Sequence, residues 1–316
     1  MPCYKPLTAW YSKQINAKTG KRSLVFSSNA SHEPEKPLEV PCGQCIGCRI
    51  ERSRQWALRC VHEASLWERN CFITLTFDEE NLAERDNPMS LDVKEWQRFM
   101  KRLRKKFGNN IRFFHCGEYG DTYKRPHYHA CLFNFDFDDK QLWTVTKTGE
   151  KLYISESLQK LWTHGFSTIG AVTWESAAYV ARYIMKKVNG DMALEHYNDI
   201  DWETGEVLQS RAPEYTTMSR RPGIAAGWFE KYEKDVYPKD FVVVNGKKMK
   251  PPKFYDRIME RTRPYEFTKI KEKREKKLKE FQATSNDLGI ARLKVRERVQ
   301  ELKAKRLVRN HDKGIK

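Results

Sequence analysis

His127 and His129 stand one residue apart in Arg125-Pro126-His127-Tyr128-His129, at the opening of the apolar run Ala130-Cys131-Leu132-Phe133. Side chains alternate along a strand, so residues at i and i+2 share a face and two imidazole nitrogens can reach one cation. Such a cation can hold a non-bridging phosphate oxygen and stabilise the charge that builds as a phosphodiester breaks. Glu118 ends the preceding predicted strand and supplies a third ligand if the two strands pair antiparallel. A carboxylate beside two histidines suits the site to Mg²⁺ or Mn²⁺, and also to Zn²⁺. An isolated H-x-H is more often a pair of ordinary strand histidines. Pro126 ahead of the pair and a buried-strand pattern behind it favour the metal here.

Tyr179 and Tyr183 follow, four residues apart in Tyr179-Val180-Ala181-Arg182-Tyr183-Ile184-Met185-Lys186-Lys187. On a helix they lie on one face, about a turn from each other. A phenol titrates near ~10 and must lose its proton before it can attack phosphorus. A divalent cation or a lysine (Lys186 or Lys187) stabilises the phenolate, and Arg182 could hold a phosphate. The product is a phosphotyrosine on the 5′ side of a nick and a free 3′-hydroxyl. That covalent bond conserves the energy of the cleaved linkage, so a strand can later be rejoined, and two tyrosines permit alternation. Y-x-x-x-Y alone usually marks packing against a sheet. Its place after the histidine pair makes it informative.

Positioning these groups requires a sheet with a helix across it. Residues 71–77 form an apolar, β-branched run, followed by a predicted helix near 91–107 (Leu91, Trp96, Phe99, Met100, Leu103). Strands near 111–117 and 128–135, a helix near 155–163, a strand near 166–173 and a helix at 175–188 complete the set. The order β-α-β-β-α-β-α predicts an α+β fold with a ferredoxin-like antiparallel sheet and one extra helix. Ahead of it, residues 1–48 are loop-rich in Pro and Gly. A helix at 49–67 sets Ile50, Ser53, Ala57, Cys60, Ala64 and Trp67 on one face and Arg49, Arg52 and Arg59 on another, a basic surface. The core is thus expected over 49–190. Residues 191–264 form an irregular region for DNA or partner contact, with a hairpin turn at Asn245-Gly246. Residues 265–316 form a basic helical tail with Leu288, Leu293, Val299 and Leu302 as apolar anchors.

Cys42, Cys45 and Cys48 form C-x₂-C-x₂-C, and Cys3 is the obvious fourth thiolate. Four thiolates suit a structural zinc ion, tying the N-terminal segment to the helix that follows. An iron–sulfur cluster and metal-free reduced cysteines are the other readings. Cys60, Cys71, Cys116 and Cys131 sit in apolar patterns and read as core.

Lys and Arg number 59 against 42 Asp and Glu, a formal net charge of +17, which favours a polyanionic partner. Residues 269–316 carry +10 of it, 17 Lys/Arg against 7 Asp/Glu. Aromatics at 12% offer stacking surfaces for bases. An anionic membrane surface attracts basic chains too, but no apolar run approaches a membrane span and the N-terminus lacks a signal-peptide core. A soluble, intracellular protein is expected. No G-x-x-x-x-G-K-[ST] phosphate loop is present, so no helicase motor is expected in this chain.

Taken in order, Phe72-Ile73-Thr74-Leu75-Thr76-Phe77, His127-Tyr128-His129 and Tyr179 to Lys187 resemble the three motifs of HUH endonucleases. The likeness is greatest to the rolling-circle replication initiators of microvirus phages of the gokushovirus type. Cys42-Gly43-Gln44-Cys45-Ile46-Gly47-Cys48-Arg49 is similar to that group as well, and the resemblance covers roughly residues 1–225. It implies Tyr179 and Tyr183 as nucleophiles, Lys186 or Lys187 as the accompanying lysine, and His127 and His129 as ligands of a catalytic Mg²⁺ or Mn²⁺. Glu118 joins them by position and chemistry. The implied activity is a sequence-directed nick in one strand of a circular replicative DNA, with single-stranded DNA and the replicative-form origin as substrates. The helicase and polymerase of the bacterial host would follow, in the host cytoplasm. Tyr128 stands where the family carries a bulky aliphatic. Two rival readings are a non-catalytic RNA- or DNA-binding protein with an RNA-recognition-type sheet, and a transposase or relaxase of the same superfamily.

Overall fold

A computed structural model gives the fold and describes residues 3–120, 123–182, 192–201 and 203–305. The described residues divide into two compact units, one built from residues 3–51 and 274–305, the other from residues 52–273.

The N-terminal segment, expected as loops, carries three strands: β1 (Leu7–Ile15), β2 (Arg22–Val25) and β3 (Leu38–Val40), paired antiparallel in the order β2-β1-β3. These strands bury almost nothing, so the alternation that betrays a strand is missing from the sequence. Helix α1 (Ile46–Ala64) follows.

The second unit is organised by a seven-stranded antiparallel sheet. Its first parts are β4 (Asn70–Leu75), α2 (Glu79–Ala83), α3 (Val93–Phe107), β5 (Arg112–Tyr119) and β6 (Pro126–Phe133). The hairpin β7 (Gln141–Val145) and β8 (Lys151–Ile154) precedes α4 (Glu156–Leu161), β9 (Ser167–Gly170) and α5 (Trp174–Arg182). Beyond come α6 (Met192–Tyr197), the hairpin β10 (Asn198–Ile200) and β11 (Val207–Ser210), and β12 (Tyr215–Met218). The sheet order is β12-β5-β6-β4-β9-β8-β7. The expected β-α-β-β-α-β-α series is present as β4, α3, β5, β6, α4, β9 and α5, within a larger α+β fold. Two additions were not foreseen. The β7–β8 hairpin is largely exposed and shows no apolar alternation, and β12 finds its partner β5 about a hundred residues earlier in the chain.

Both faces of the sheet are covered, which is why β6 reads as a continuous apolar run. On one face Ile73, Leu75, Tyr128 and Leu132 pack against Trp96, Phe99, Met100 and Leu103 of α3. Those four recur at i, i+3, i+4 and i+7. Asp92 caps the helix by accepting a 2.8 Å hydrogen bond from the Lys94 N–H, and Gly108 ends it. On the other face Phe72, Phe114, Cys116, Cys131 and Phe133 pack against Ala57 and Cys60 of α1 and Ala177, Val180 and Ala181 of α5. Gly165 lies where the chain returns beside β4. A Cβ there would meet the Asp78 nitrogen at 2.4 Å, at a φ of 151°.

The remaining elements are α7 (Ala226–Val236), the hairpin β13 (Val242–Val244) and β14 (Lys247–Met249), α8 (Lys253–Thr262), α9 (Pro264–Thr284) and α10 (Ile290–Lys305). Asn245 and Gly246, at φ 48° and 73°, make the hairpin turn where the sequence placed it. Within the described residues the tail is helical in α9 and α10, but Leu288, Val299 and Leu302 are exposed rather than buried, and the apolar residues of α10 scatter round the helix. The basic surface predicted for α1 also needs correction. Arg59 is buried between the rings of Trp56 and Phe254, at 4.0 and 3.8 Å from their centroids, and donates to the Ile224 carbonyl. Burial pushes its pKa down to about 10.

A second buried base on α1 makes stability pH-dependent. His62 Nδ1 lies 2.7 Å from the Tyr255 hydroxyl, its ring stacks on Trp228, and burial pushes its pKa down to about 3. An unfolded histidine titrates near ~6.5, so below that pH the unfolded chain binds a proton the folded chain refuses. The contribution is whole above about pH 6.5 and drains as pH falls toward 3, by about 2 kcal/mol at pH 5. The thermal midpoint is therefore expected to fall on acidification from about pH 7.5 to about pH 5, and less steeply in His62→Gln. Equal slopes in the two proteins would assign the acid sensitivity to another group.

Candidate active site

Strands β5 and β6 pair so that Glu118 faces His127 and Cys116 faces His129, while Thr74 of β4 faces His129 from the other side. Glu118, His127, His129 and Thr74 therefore project from the same side of the sheet, the side covered by α5. Nε2 of His127 lies 2.8 Å, and Nε2 of His129 2.9 Å, from one oxygen of Glu118. Glu118 is only 1% exposed. Burial pushes its carboxyl up, but the charge and hydrogen bonds of His127 and His129 outweigh that and hold it below the usual carboxylate range.

The outer ring nitrogens are engaged as well. His127 Nδ1 lies 3.2 Å from the Arg125 carbonyl and His129 Nδ1 2.9 Å from the Thr74 hydroxyl. A carbonyl only accepts, so the His127 Nδ1 carries hydrogen and its Nε2 is turned toward Glu118. The two Nε2 atoms and a carboxylate oxygen converge within 4.8 Å of one another. That donor set fits a divalent cation.

Helix α5 brings Tyr179 to the same place. The helix starts at a reciprocal cap in which the Thr173 N–H donates to Ser176 Oγ (2.8 Å) and the Ser176 N–H to Thr173 Oγ1 (3.2 Å). Tyr179 falls about a turn later. Its hydroxyl donates to the same Glu118 oxygen at 3.2 Å and lies 3.5 Å from His129 Nε2. The ring meets the rings of His129 and Phe72 edge to face, and the side chain is 2% exposed. Tyr183, Lys186 and Lys187 lie outside the described residues. Arg182 is half-buried and donates from Nε to the Ala178 carbonyl at 3.3 Å.

The sequence model of the family described as "Replication-associated protein ORF2/G2P" matches residues 70–188, from the first residue of β4 through both tyrosines. The chain is 34% identical to the replication-associated protein VP4 of Bdellovibrio phage phiMH2K over 301 residues, 91% of this chain and 87% of that protein. It is 35% identical to the replication-associated protein ORF2 of Spiroplasma virus 4 over 291 residues, 87% of this chain and 86% of that one. The chain belongs to the phage replication-associated proteins. The resemblance to microvirus replication initiators drawn from the motifs is thereby borne out. A shorter match, 31% over 172 residues, joins it to the replication-associated protein ORF4 of Chlamydia phage 1 and covers 52% of this chain and 42% of that protein. No solved structure matches.

In this replication-associated protein Tyr128 points to the opposite face of the sheet from its flanking histidines. Its hydroxyl donates to the Asp92 carbonyl (2.9 Å), accepts from the Asp92 N–H (3.1 Å) and contacts Glu95. The tyrosine thus ties β6 to the start of α3 and leaves both histidines free of the exchange. Burial, with Glu95 beside it, pushes its phenol far up. Sequence reasoning missed Thr74 and Phe72 as neighbours of His129. Strand parity carried the signal, since both stand two apart on one face of the first motif, and only the pairing of β4 with β6 makes it readable.

The cysteines separate into two groups. Cys3, Cys42, Cys45 and Cys48 come together with sulfurs within 4.8 Å of one another. Cys60, Cys71, Cys116 and Cys131 are fully buried among the packed faces of the sheet.

Proposed function

We propose that this protein initiates rolling-circle replication by nicking one DNA strand with a tyrosine nucleophile, Tyr179 alternating with Tyr183. The observation that carries the reading is the meeting of the Tyr179 hydroxyl, Glu118 and both histidine Nε2 atoms at one point. His127, His129 and Glu118 would hold Mg²⁺ or Mn²⁺, which would supply Lewis-acid stabilisation of charge on the scissile phosphate. The hydrogen bond to Glu118 orients the phenol oxygen, and the edge-to-face contacts with His129 and Phe72 fix its ring. Because Tyr179 is buried, the site must open to admit a strand. Attack by the phenol oxygen forms its bond to phosphorus and breaks the bond to the 3′ oxygen, which leaves as the 3′-hydroxyl. The 5′ end stays on the tyrosine, and attack by a 3′-hydroxyl reverses the step and rejoins the strand. Lys186 or Lys187 would stabilise the phenolate.

A ferredoxin-like core is part of this reading. The four strands β5-β6-β4-β9 are antiparallel, with α3 and α4 packed on one face, and this order supports it. No helix among the described residues is long and apolar enough to cross a membrane. The substrates would be single-stranded DNA and the replicative-form origin, and the work would be done in the cytoplasm of the bacterial host with its helicase and polymerase.

A denaturing-gel assay tests the reading. The protein, mixed with single-stranded origin DNA and Mn²⁺, is expected to give a covalent protein–DNA adduct that a chelator prevents. Binding with no adduct, across several divalent metals and both strands, would leave a non-catalytic nucleic-acid-binding protein.

A further inference from the structure

The four clustered cysteines are not used by the proposed reaction. No pair of them is joined, and the Cys3 and Cys42 sulfurs stand 3.8 Å apart, far from the ~2.0 Å of a disulfide. A tetrahedral ion with Zn–S bonds of ~2.3 Å places its sulfurs about 3.8 Å from one another. All four sulfurs lie within 4.8 Å of one another, a spacing that suits one shared ion. A [4Fe–4S] cluster would seat each sulfur on a different iron, and a [2Fe–2S] cluster would divide them two and two between its irons, so either would spread the set further.

The backbone is folded around these sulfurs. The Cys42 N–H donates to Cys3 Sγ (3.4 Å), the Cys45 N–H to Cys42 Sγ (3.3 Å) and the Tyr4 N–H to Cys45 Sγ (3.4 Å). A thiol is a weak acceptor, whereas a thiolate on a cation benefits from N–H groups around it. Gly43, at φ 77°, allows the turn that points Cys42 and Cys45 the same way.

A third observation is independent of the cysteine geometry. Among residues 3–48 the buried side chains are Cys3, Ala9, Ser12, Ser31 and Cys45. Besides the sulfurs, the Ala9 methyl is the one fully buried apolar group, with Trp10, Val25, Leu38 and Val40 half-buried, so β1–β3 have little hydrophobic core to order them. Small segments without a core are held by disulfides or by metal, and here no disulfide exists.

We propose that Cys3, Cys42, Cys45 and Cys48 bind one structural Zn²⁺ as a tetrathiolate site, and that this ion holds the N-terminal three-stranded sheet in its fold. The full-length protein, purified without added metal, is expected to carry zinc that persists in a His127→Ala/His129→Ala variant. Titration of the wild type with an organomercurial should release that zinc to a chromophoric chelator. Co²⁺ exchanged into the wild type should show thiolate-to-cobalt charge-transfer absorption and tetrahedral d–d bands. Cys42→Ser/Cys45→Ser should lose the zinc, and removal of metal from the wild type should speed tryptic cleavage within residues 3–48. Iron with or without acid-labile sulfide, zinc that follows the histidines, or wild-type protein without bound metal would each overturn the assignment. The cobalt and organomercurial readouts use the wild type, so a cysteine variant that fails to fold leaves the test intact.

Discussion

Tyr179→Phe is expected to reduce covalent adduct formation with single-stranded origin DNA by roughly 10⁴-fold or more, the scale on which loss of a nucleophile acts. The substitution removes one oxygen and leaves the ring. Its contacts with His129 and Phe72 survive, and so does the packing of α5 on the sheet. The structural cost includes the hydrogen bond to Glu118, about 1 kcal/mol. Folding and DNA binding should therefore match the wild type while cleavage fails, a separation that loss of packing would not produce. Circular dichroism, a DNA-binding isotherm and the adduct gel on one preparation make the comparison. An adduct formed at the wild-type rate by Tyr179→Phe, and lost only with Tyr183→Phe, would move the first nucleophile to Tyr183.

The second large effect belongs to Glu118. Glu118→Gln keeps the shape and a hydrogen-bonding oxygen but removes the charge that faces both imidazoles. If the three residues hold a divalent cation, the variant should lose several kcal/mol of transition-state stabilisation, or about 10³-fold in cleavage rate at limiting Mn²⁺. Mn²⁺ should raise the thermal midpoint of the wild type, because a ligand that binds only the folded state stabilises it by about 2.7 kcal/mol at a hundred times its Kd. That rise should vanish in Glu118→Gln and in His129→Ala. The calorimetric arm needs no DNA and no turnover, so it reports on the metal even if the nucleophile is misassigned. A wild-type response to Mn²⁺ in Glu118→Gln would remove the carboxylate from the ligand set.

What was legible early was local. The histidine pair, the apolar runs of β4 and β6 and the i, i+3, i+4, i+7 face of α3 are set by periodicities of two and 3.6 residues, and a single sequence displays those directly. The Asn245-Gly246 turn is legible for the same reason, since only a few residue types accept a positive φ at both central positions. Glu118 could be selected because a carboxylate near the end of one strand of an antiparallel pair falls opposite the start of the next. Its register with His127 is what the pairing delivers.

Other features depended on partners distant in the chain. The strands β1–β3 and the β7–β8 hairpin are held by pairing, with little burial, and leave no alternation to read. The edge strand β12 exists because β5 offers it unpaired backbone groups. Arg59 looked like surface charge on a helical wheel, yet α8 contributes Phe254 on one side of it and the chain at Ile224 accepts its hydrogen bonds.

By itself the sequence determined which groups are available for chemistry: two imidazoles on one strand face, a carboxylate one strand away, tyrosines on a following helix and four thiols near the start. Composition also determined the charge that a polyanionic partner would meet. Only the tertiary structure decided that Glu118 lies between both histidines, that Thr74 engages the outer nitrogen of His129, and that Tyr179 reaches the same oxygen. Those are contacts between residues 50 to 61 positions apart or on separate strands, settled by strand register and helix packing. The physical reason is that side-chain direction is a local property of the backbone, whereas convergence is set by which distant surfaces exclude water together.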